Sequence, residues 1–305
     1  MSALSRKLVI IMQGPSEIRR HIAGVEQTKK ITGAMEMVSS NRMRQVMGHI
    51  EQNHLYFGYT RQTMKDLLRA SGDVSHPYLS IRPRGHVTFM VISGDKGLCG
   101  AHNVSVLNFA KQRMSAFPGA ALITVGHTAY DFFSSQGMAP DITLLGLAQD
   151  PTLERAREVA MELTDMYENE LTDDIRIVYT SFYGPTKGKP VEFRLLPAIL
   201  HDYEDVVDAG EPREITYHPS AQTVLDMLIP QYIIGIVFGV LVQAYASEHY
   251  ARMNAMHSAT KNAKDILENL NLQYNLARQS AITTEIAEIT GAAEVLKGET
   301  GYDWQ

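Results

Sequence analysis

The chain has 305 residues, of which 45% are hydrophobic and 20% are charged, as is ordinary for a folded soluble protein. Its formal net charge of -6 argues against a general nucleic-acid binder, so no nucleic-acid partner is expected. The single cysteine, Cys99, excludes an intramolecular disulfide framework and any zinc site built from several cysteines. The length allows one large domain or two smaller ones.

The first residues combine a short apolar run with basic side chains. The run LVIIM follows Arg6 and Lys7, as at the start of a signal peptide, but it is short and ends at Gly14-Pro15 without a small-residue cleavage site. We therefore interpret residues 1–15 as an N-terminal extension. Residues 1–50 carry eight Lys or Arg against three Glu. This basic region suits an acidic partner surface or forms a solvated helix face.

A long helix is predicted next, over residues 16–72. Ser16 is a plausible N-cap, and Glu17 lies in the first turn. Apolar residues then recur at helical steps to about Ala70, where the sequence SGD breaks the pattern.

Residues 85–200 differ, because short β-rich runs alternate there with amphipathic stretches. This alternation predicts a small α/β domain with a mostly parallel sheet. The predicted strands are residues 86–93, 121–125, 142–145, 174–182 and 191–199, and the predicted helices are residues 104–117, 128–135 and 151–170.

The C-terminal part predicts a second long helix, over residues 220–296, after an acidic linker at 201–219 and before a tail at 297–305. Apolar residues return at steps of three and four, which indicates one buried stripe. A helix of this length would extend roughly 115 Å and needs a partner. Because a domain separates the two long helices, we expect them to form an antiparallel coiled coil that flanks the α/β domain.

The most hydrophobic window covers residues 227–246. Twenty nearly uncharged residues could span a bilayer. However, Pro230, Gln231 and Gln243 interrupt the window, and no Lys or Arg anchors its ends. We interpret it as a helix buried between the N-terminal helix and the α/β domain; the alternative is a coiled-coil scaffold tethered to a membrane.

Residues 93–103 (SGDKGLCGAHN) form a Gly-rich turn between a predicted strand and helix. Such a turn can bind phosphate at a helix N-terminus, which leaves a nucleotide-binding α/β enzyme as a further alternative. It matches neither common phosphate-binding glycine motif, and glycines that permit close packing explain it equally well. The chain shows no complete catalytic motif, so we expect no catalytic residue, metal or cofactor.

Several segments resemble the gamma subunit of F-type ATP synthases, over about residues 17–296. They are KKITGAMEMVSSNRMR at 29–44, HPYL at 76–79, the Gly-rich turn, ASEHYARMNAMHSATKNA at 246–263 and LQYNLARQSAITTEIAEITGAAEVL at 272–296.

The resemblance implies a non-catalytic central rotor shaft. It would couple ion-driven rotation of the membrane c-ring to conformational cycling of the catalytic beta subunits, for ATP synthesis or, in reverse, hydrolysis. The implied partners are the alpha and beta hexamer, the epsilon subunit and the c-ring, with delta and other subunits only within the whole complex. The implied location is the cytoplasmic face of a bacterial plasma membrane, as a peripheral protein. The membrane ring decides whether the coupling ion is H⁺ or Na⁺.

The resemblance also implies residues that contact the surrounding alpha and beta subunits. Met35 matches the place where the lower shaft meets an acidic loop of a beta subunit, and the coiled-coil core is its alternative role. Lys30 and Arg42 would complement such a loop. The remaining implied contacts are Arg252 in the lower coiled coil and Arg278, Gln279, Thr283 and Glu285 near the far end of the second helix.

Overall fold

The computed structural model describes residues 14–70, 76–83, 85–182, 184, 188–199 and 221–299. The linker, residues 1–13 of the predicted N-terminal extension and residues 300–305 of the predicted tail lie outside these residues. The elements in chain order are α1 (Pro15–Ala70), a 3-10 turn (Pro77–Leu79), β1 (Val87–Ile92), α2 (His102–Met114), β2 (Ala121–Val125), α3 (His127–Ser135), β3 (Ile142–Leu144), a 3-10 turn (Leu147–Gln149), α4 (Leu153–Glu168), β4 (Asp174–Ser181), β5 (Lys189–Leu196) and α5 (Ala221–Glu299).

The chain divides into two compact units. One, the helical unit, joins the residues up to Glu36 with those from Met256 onward. The other, the sheet unit, is Met37–Ala255. Each of the two long helices therefore contributes residues to both units.

Helix α1 begins one residue earlier than its predicted cap. Pro15 is the first helical residue, and the carbonyl of Gly14 accepts hydrogen bonds from the amides of Glu17 and Ile18 at 3.0 and 3.2 Å. Proline is favoured at this position because its missing N–H would have no partner within the helix. Ser16 is thus inside the helix, and the N-cap prediction was wrong.

The sheet unit contains five strands in the order β3-β2-β1-β4-β5. The pairings β3-β2, β2-β1 and β1-β4 are parallel, while β4-β5 is antiparallel. The mostly parallel sheet predicted from the alternating pattern is confirmed. Strand β5 begins at Lys189, two residues before its predicted start, because it forms a hairpin with β4 that pairs Ser181 with Lys189.

Helices cover both faces of this sheet. Strand β1 lies at its centre, and all six of its residues are buried. Phe89 and Val91 pack with apolar residues of α2 and α3 on one face. Met90 and Ile92 pack with α4 and with α5 on the other. A parallel strand buried on both faces is expected to be mostly apolar, as VTFMVI is except for Thr88, whose hydroxyl donates to that of Thr172 at 2.9 Å.

The hydrophobic window of α5 is a core element of the sheet unit. Ile229, Ile233, Ile236, Val237 and Val240 are each at most 1% exposed and belong to the cluster that includes Met90 and Ile92. Within the described residues, α5 is the one helix long and apolar enough to cross a membrane. Its apolar face is occupied by the sheet, which supports the core interpretation over a membrane-tethered scaffold.

In the helical unit the first residues of α1 pair with α5 in opposite directions. The hydroxyl of Thr260 donates to that of Thr32 at 2.8 Å, and His257 Nδ1 lies 2.9 Å from Glu36 Oε1. Residue numbers therefore rise along one helix as they fall along the other. Ala263, Leu267 and Leu270 on α5 and Ile18 on α1 are buried, and they follow helical spacing. The predicted fold class, an antiparallel coiled coil with a central α/β domain, is confirmed.

Truncation of the buried face of α5 should destabilise the protein more than truncation of its exposed part. We expect Ile236→Ala to lower the free energy of unfolding by about 2–5 kcal/mol, because it leaves a cavity beneath the sheet. Met227→Ala, at a 60% exposed site on the same helix, is the matched control and should change it by less than about 0.5 kcal/mol. Urea unfolding followed by circular dichroism measures both, and equal effects would contradict burial of α5 on the sheet.

Candidate rotor contacts and the clamp on helix α5

Four predicted contact residues lie together on α5 in the helical unit. Arg278, Gln279, Thr283 and Glu285 are all exposed. They fall within little more than two helical turns, and the hydroxyl of Thr283 donates to the carbonyl of Gln279 at 2.9 Å. The structure therefore presents a cation, an amide, a hydroxyl and a carboxylate on one short stretch of helix.

Apolar side chains are exposed on the same part of α5. Ile282, Ile286, Ile289 and Val295 are between 44% and 64% exposed. Within the described part of the chain, nothing covers them. Exposed apolar side chains in this number commonly mark a surface that another molecule covers.

Lys30 and Met35 lie elsewhere in the helical unit, on α1. Lys30 is exposed and Met35 is half-buried, next to the Glu36 that meets His257. From residue 257 to residue 278, α5 rises roughly 30 Å. The structure therefore places these two residues at a distance from the Arg278 group, so the predicted contacts do not form a single site.

Arg42 and Arg252 belong to the sheet unit and differ from each other. Arg42 is exposed, and its Nη1 donates to the hydroxyl of Tyr245 at 3.4 Å. Arg252 is only 7% exposed. Its guanidinium group is bonded within the chain, so the geometry gives it an internal role rather than a surface for another subunit.

The internal partners of Arg252 are a carboxylate and a loop. Its Nη2 donates to Glu248 Oε1 at 2.6 Å and to the carbonyl of Lys96 at 3.0 Å, and both Nη2 and Nε donate to the carbonyl of Gly97 at 3.3 Å. Residues 94–97 follow β1, so one turn of α5 holds the loop at the carboxyl end of the central strand. We name this arrangement the Glu248–Arg252 clamp. No role was predicted for Glu248 from the sequence, although it is the first charged residue after the apolar window, four residues before Arg252.

The carboxylate of Glu248 also distinguishes between the two interpretations of the Gly-rich turn, phosphate binding and close packing. A Cβ atom on Gly94 would lie 2.6–2.9 Å from the carboxyl atoms of Glu248, so a side chain at this position would displace that carboxylate. The Gly94 amide already donates to the side chain of Asn103 at 3.1 Å. A carboxylate against the turn and an occupied amide do not suit a phosphate group, and the tight-packing interpretation is the one that the geometry supports.

Burial controls the protonation of the groups around the clamp. Burial raises the pKa of Glu248, while the adjacent Arg252 opposes that rise. Burial, reinforced by the charge of Arg252, lowers the pKa of His249 to about 3, so its imidazole is neutral. Burial also raises the pKa of the Cys99 thiol, which does not favour a reactive thiolate. The described residues contain no group of three or more His, Cys, Asp and Glu that could hold a metal ion.

Comparison with known proteins gives one consistent result. The family described as ATP synthase matches residues 15–296. The ATP synthase gamma chain of Heliobacterium modesticaldum is 34% identical over 289 residues, which are 93% of this chain and all of that relative. The gamma chain of Pelotomaculum thermopropionicum is 37% identical over 284 residues, which are 92% of this chain and 98% of that relative.

The chain belongs to the ATP synthase gamma-chain family. As a gamma chain it is a non-catalytic subunit of the ATP synthase complex. A chain of the mitochondrial ATP synthase of Euglena gracilis has the same fold, with a TM-score of 0.70 at 19% identity, over 95% of this chain and 97% of that one. The resemblance drawn from the motifs is thereby confirmed.

The neutral histidine of this gamma chain should make its stability depend on pH. His249 has a pKa of about 3 when folded and an ordinary value of 6.5 when unfolded, so the unfolded state binds more protons between these values. The stability due to this group is complete above about pH 6.5 and is lost as the pH falls toward 3, by at most about 1.4 kcal/mol per pH unit.

His249→Gln should remove this dependence. Urea unfolding at about pH 7.5 and about pH 5 would then show a smaller acid-induced loss for the variant than for the natural chain. The raised pKa of Glu248 acts in the opposite direction, but that residue is present in both proteins. Equal losses would show that His249 is not held neutral in the folded state.

Proposed function

We propose that this gamma chain is the central-stalk rotor of its ATP synthase, which couples ion-driven rotation of the membrane ring to conformational cycling of the catalytic beta subunits. The observation that carries the proposal is the far end of α5. Four polar residues are exposed there: Arg278, Gln279, Thr283 and Glu285. The apolar residues Ile282 and Ile286 are exposed on the same stretch. An isolated helix end with this composition gains stability when other subunits surround it.

Rotation would be coupled to chemistry by differential contact. At each angle the exposed end of α5 offers different side chains to a given beta subunit, so it favours one conformation of that subunit over the others. Turning the chain then drives each beta subunit through its nucleotide-binding states and releases ATP. Because such coupling is reciprocal in free energy, ATP hydrolysis in the beta subunits would turn the chain in reverse.

The proposed contacts form two groups. Arg278, Gln279, Thr283 and Glu285 would meet the upper part of the alpha and beta hexamer. Exposed Lys30 and half-buried Met35 on α1, together with Arg42 in the sheet unit, would meet an acidic loop of a beta subunit. Arg252 is left out of this set because its donors are engaged inside the chain.

The remaining partners follow from the same assignment. We propose contacts with the epsilon subunit and the c-ring, and membership of the whole complex with delta and the other subunits. Solved relatives support an assembly of this kind, since one is titled as the OSCP/F1/c-ring part of the Euglena gracilis enzyme. Another is the central stalk and c-ring of the Tetrahymena thermophila mitochondrial ATP synthase, which matches with a TM-score of 0.58 at 21% identity, over 75% of this chain and 99% of its own. The bacterial relatives favour the cytoplasmic face of a bacterial plasma membrane.

A pull-down of the tagged chain from host membranes in mild detergent tests this proposal. We expect two large subunits to co-elute with ATPase activity. Arg278→Ala should leave assembly intact and lower ion-driven ATP synthesis about tenfold, the effect of losing about 1.4 kcal/mol from one charged contact.

Lys264→Ala is the matched control, because it removes another exposed cation from α5 outside the proposed contacts. It should synthesise ATP at the natural rate. Elution of the chain alone, without ATPase activity, would contradict the rotor assignment. Equal losses in the Arg278 and Lys264 variants would contradict the specific role of Arg278.

A further inference from the structure

The clamp holds α5 just before this helix leaves the sheet unit. Glu248 and Arg252 are one turn apart, and the unit ends at Ala255. Upstream, the helix is held by the interdigitated packing of apolar side chains. Hydrogen bonds require alignment of donor and acceptor. The clamp is thus suited to fix the rotation of the helix about its own axis.

Arg252 supplies the directional part of this attachment. Its planar guanidinium group uses Nε and Nη2 together on the carbonyls of Lys96 and Gly97, at 3.0–3.3 Å. A forked group that contacts two successive carbonyls fixes both the position and the angle of the side chain. Rotation of α5 by a few tens of degrees would break all of these bonds at once.

Glu248 supplies the steric part. Its carboxylate lies against the backbone of Gly94 more closely than any side chain on that residue would permit. It also accepts from Arg252 at 2.6 Å, so the two charged groups hold each other in place while they hold the loop. Helix and loop therefore interlock at this point.

The loop is itself tied to several elements of the sheet unit. The carboxylate of Asp95 accepts from the His127 amide, at the start of α3, and from Gln149 Nε2, both at 2.9 Å. Asn103, in the first turn of α2, accepts from Gly94 and donates to the carbonyl of Lys96 at 3.3 Å. A force on the loop is therefore distributed over the carboxyl edge of the sheet.

Stability alone does not explain why Glu248 and Arg252 are buried. Glu248 and Arg252 are each 7% exposed, and burying two charges costs desolvation that apolar residues of similar size would avoid. Buried ion pairs that persist despite this cost can instead specify one geometry. A fixed rotational setting of α5 on the sheet is a geometry of that kind.

We propose that Glu248 and Arg252 are positioning residues that lock the rotational setting of α5 on the sheet unit, so that torque passes between the sheet and the helix without slip. This proposal rests on the proposed rotor function and adds a role inside the chain to the contacts with other subunits. The clamp matters when the rotor works against a load, and it matters less when the rotor turns freely.

The test uses the complete ATP synthase in inverted membrane vesicles that carry Arg252→Gln, Glu248→Gln or both. ATP synthesis driven by an imposed ion gradient and ATP hydrolysis without a gradient are measured on the same vesicles, per assembled complex. We expect each single variant to lower the ratio of synthesis to hydrolysis about fivefold or more, within the range of measured coupling free energies. Because the two residues act as one device, the double variant should have a ratio no lower than that of the worse single variant.

Lys264→Gln, which neutralises an exposed cation on the same helix, is the control and should keep the natural ratio. The positioning role would be overturned if the assembled clamp variants kept the natural ratio of synthesis to hydrolysis. It would also be overturned if synthesis and hydrolysis fell together, in proportion to the amount of assembled complex. If Arg252→Gln does not assemble, Arg252→Lys keeps the charge without the fork, and its ratio should be intermediate. A natural ratio in that variant would also overturn the proposal, whereas a natural chain that enters no ATPase complex would overturn the rotor function itself.

Discussion

The packing of one apolar stretch of α5 against the sheet is the constraint on which the rest of the structure depends. Ile233, Ile236 and Val240 complete the core beneath the parallel strands, so the sheet cannot be covered without this helix. The same helix continues without interruption into the helical unit, where Leu267 and Leu270 are buried and residues 278–295 are exposed. Along its length, α5 thus contributes first to the core of the sheet unit, then to the coiled coil, and last to an exposed surface. Each of these three parts packs, or would pack, against a different partner.

Two kinds of attachment hold α5 in the sheet unit, and they act differently. Apolar burial supplies most of the free energy. The clamp of Glu248 and Arg252 contributes less net stability, because of desolvation, but fixes the helix to the loop at residues 94–97. This division suits the proposed rotor, which would have to stay folded while it transmits force. The absence of a side chain at Gly94 leaves room for the Glu248 carboxylate beside the loop.

The sequence predicted most of the fold because its signals are periodic and long. The helical spacing in α1 and α5, and the alternation of strands and helices between them, indicated the fold class, and motif resemblance indicated the family. Other features depend on contacts between distant residues, which periodicity does not encode. The pairing of β5 with β4, the occupation of the Gly-rich turn by Glu248 and the burial of Arg252 are of this kind. Motif matching had placed Arg252 among the surface contacts because it reports position along the chain and not the direction of a side chain.

The most direct test of the proposed rotor function is to observe rotation of this chain. Cys99 is buried, so a cysteine introduced at exposed Ser134 would carry a probe on the sheet unit while the alpha and beta hexamer is fixed to a surface. If this chain is the rotor, the probe rotates in one direction when ATP is added and stops when ATP is exhausted. Continued ATP hydrolysis with a stationary probe, or with one that moves equally in both directions, would contradict the assignment of this chain as the rotor.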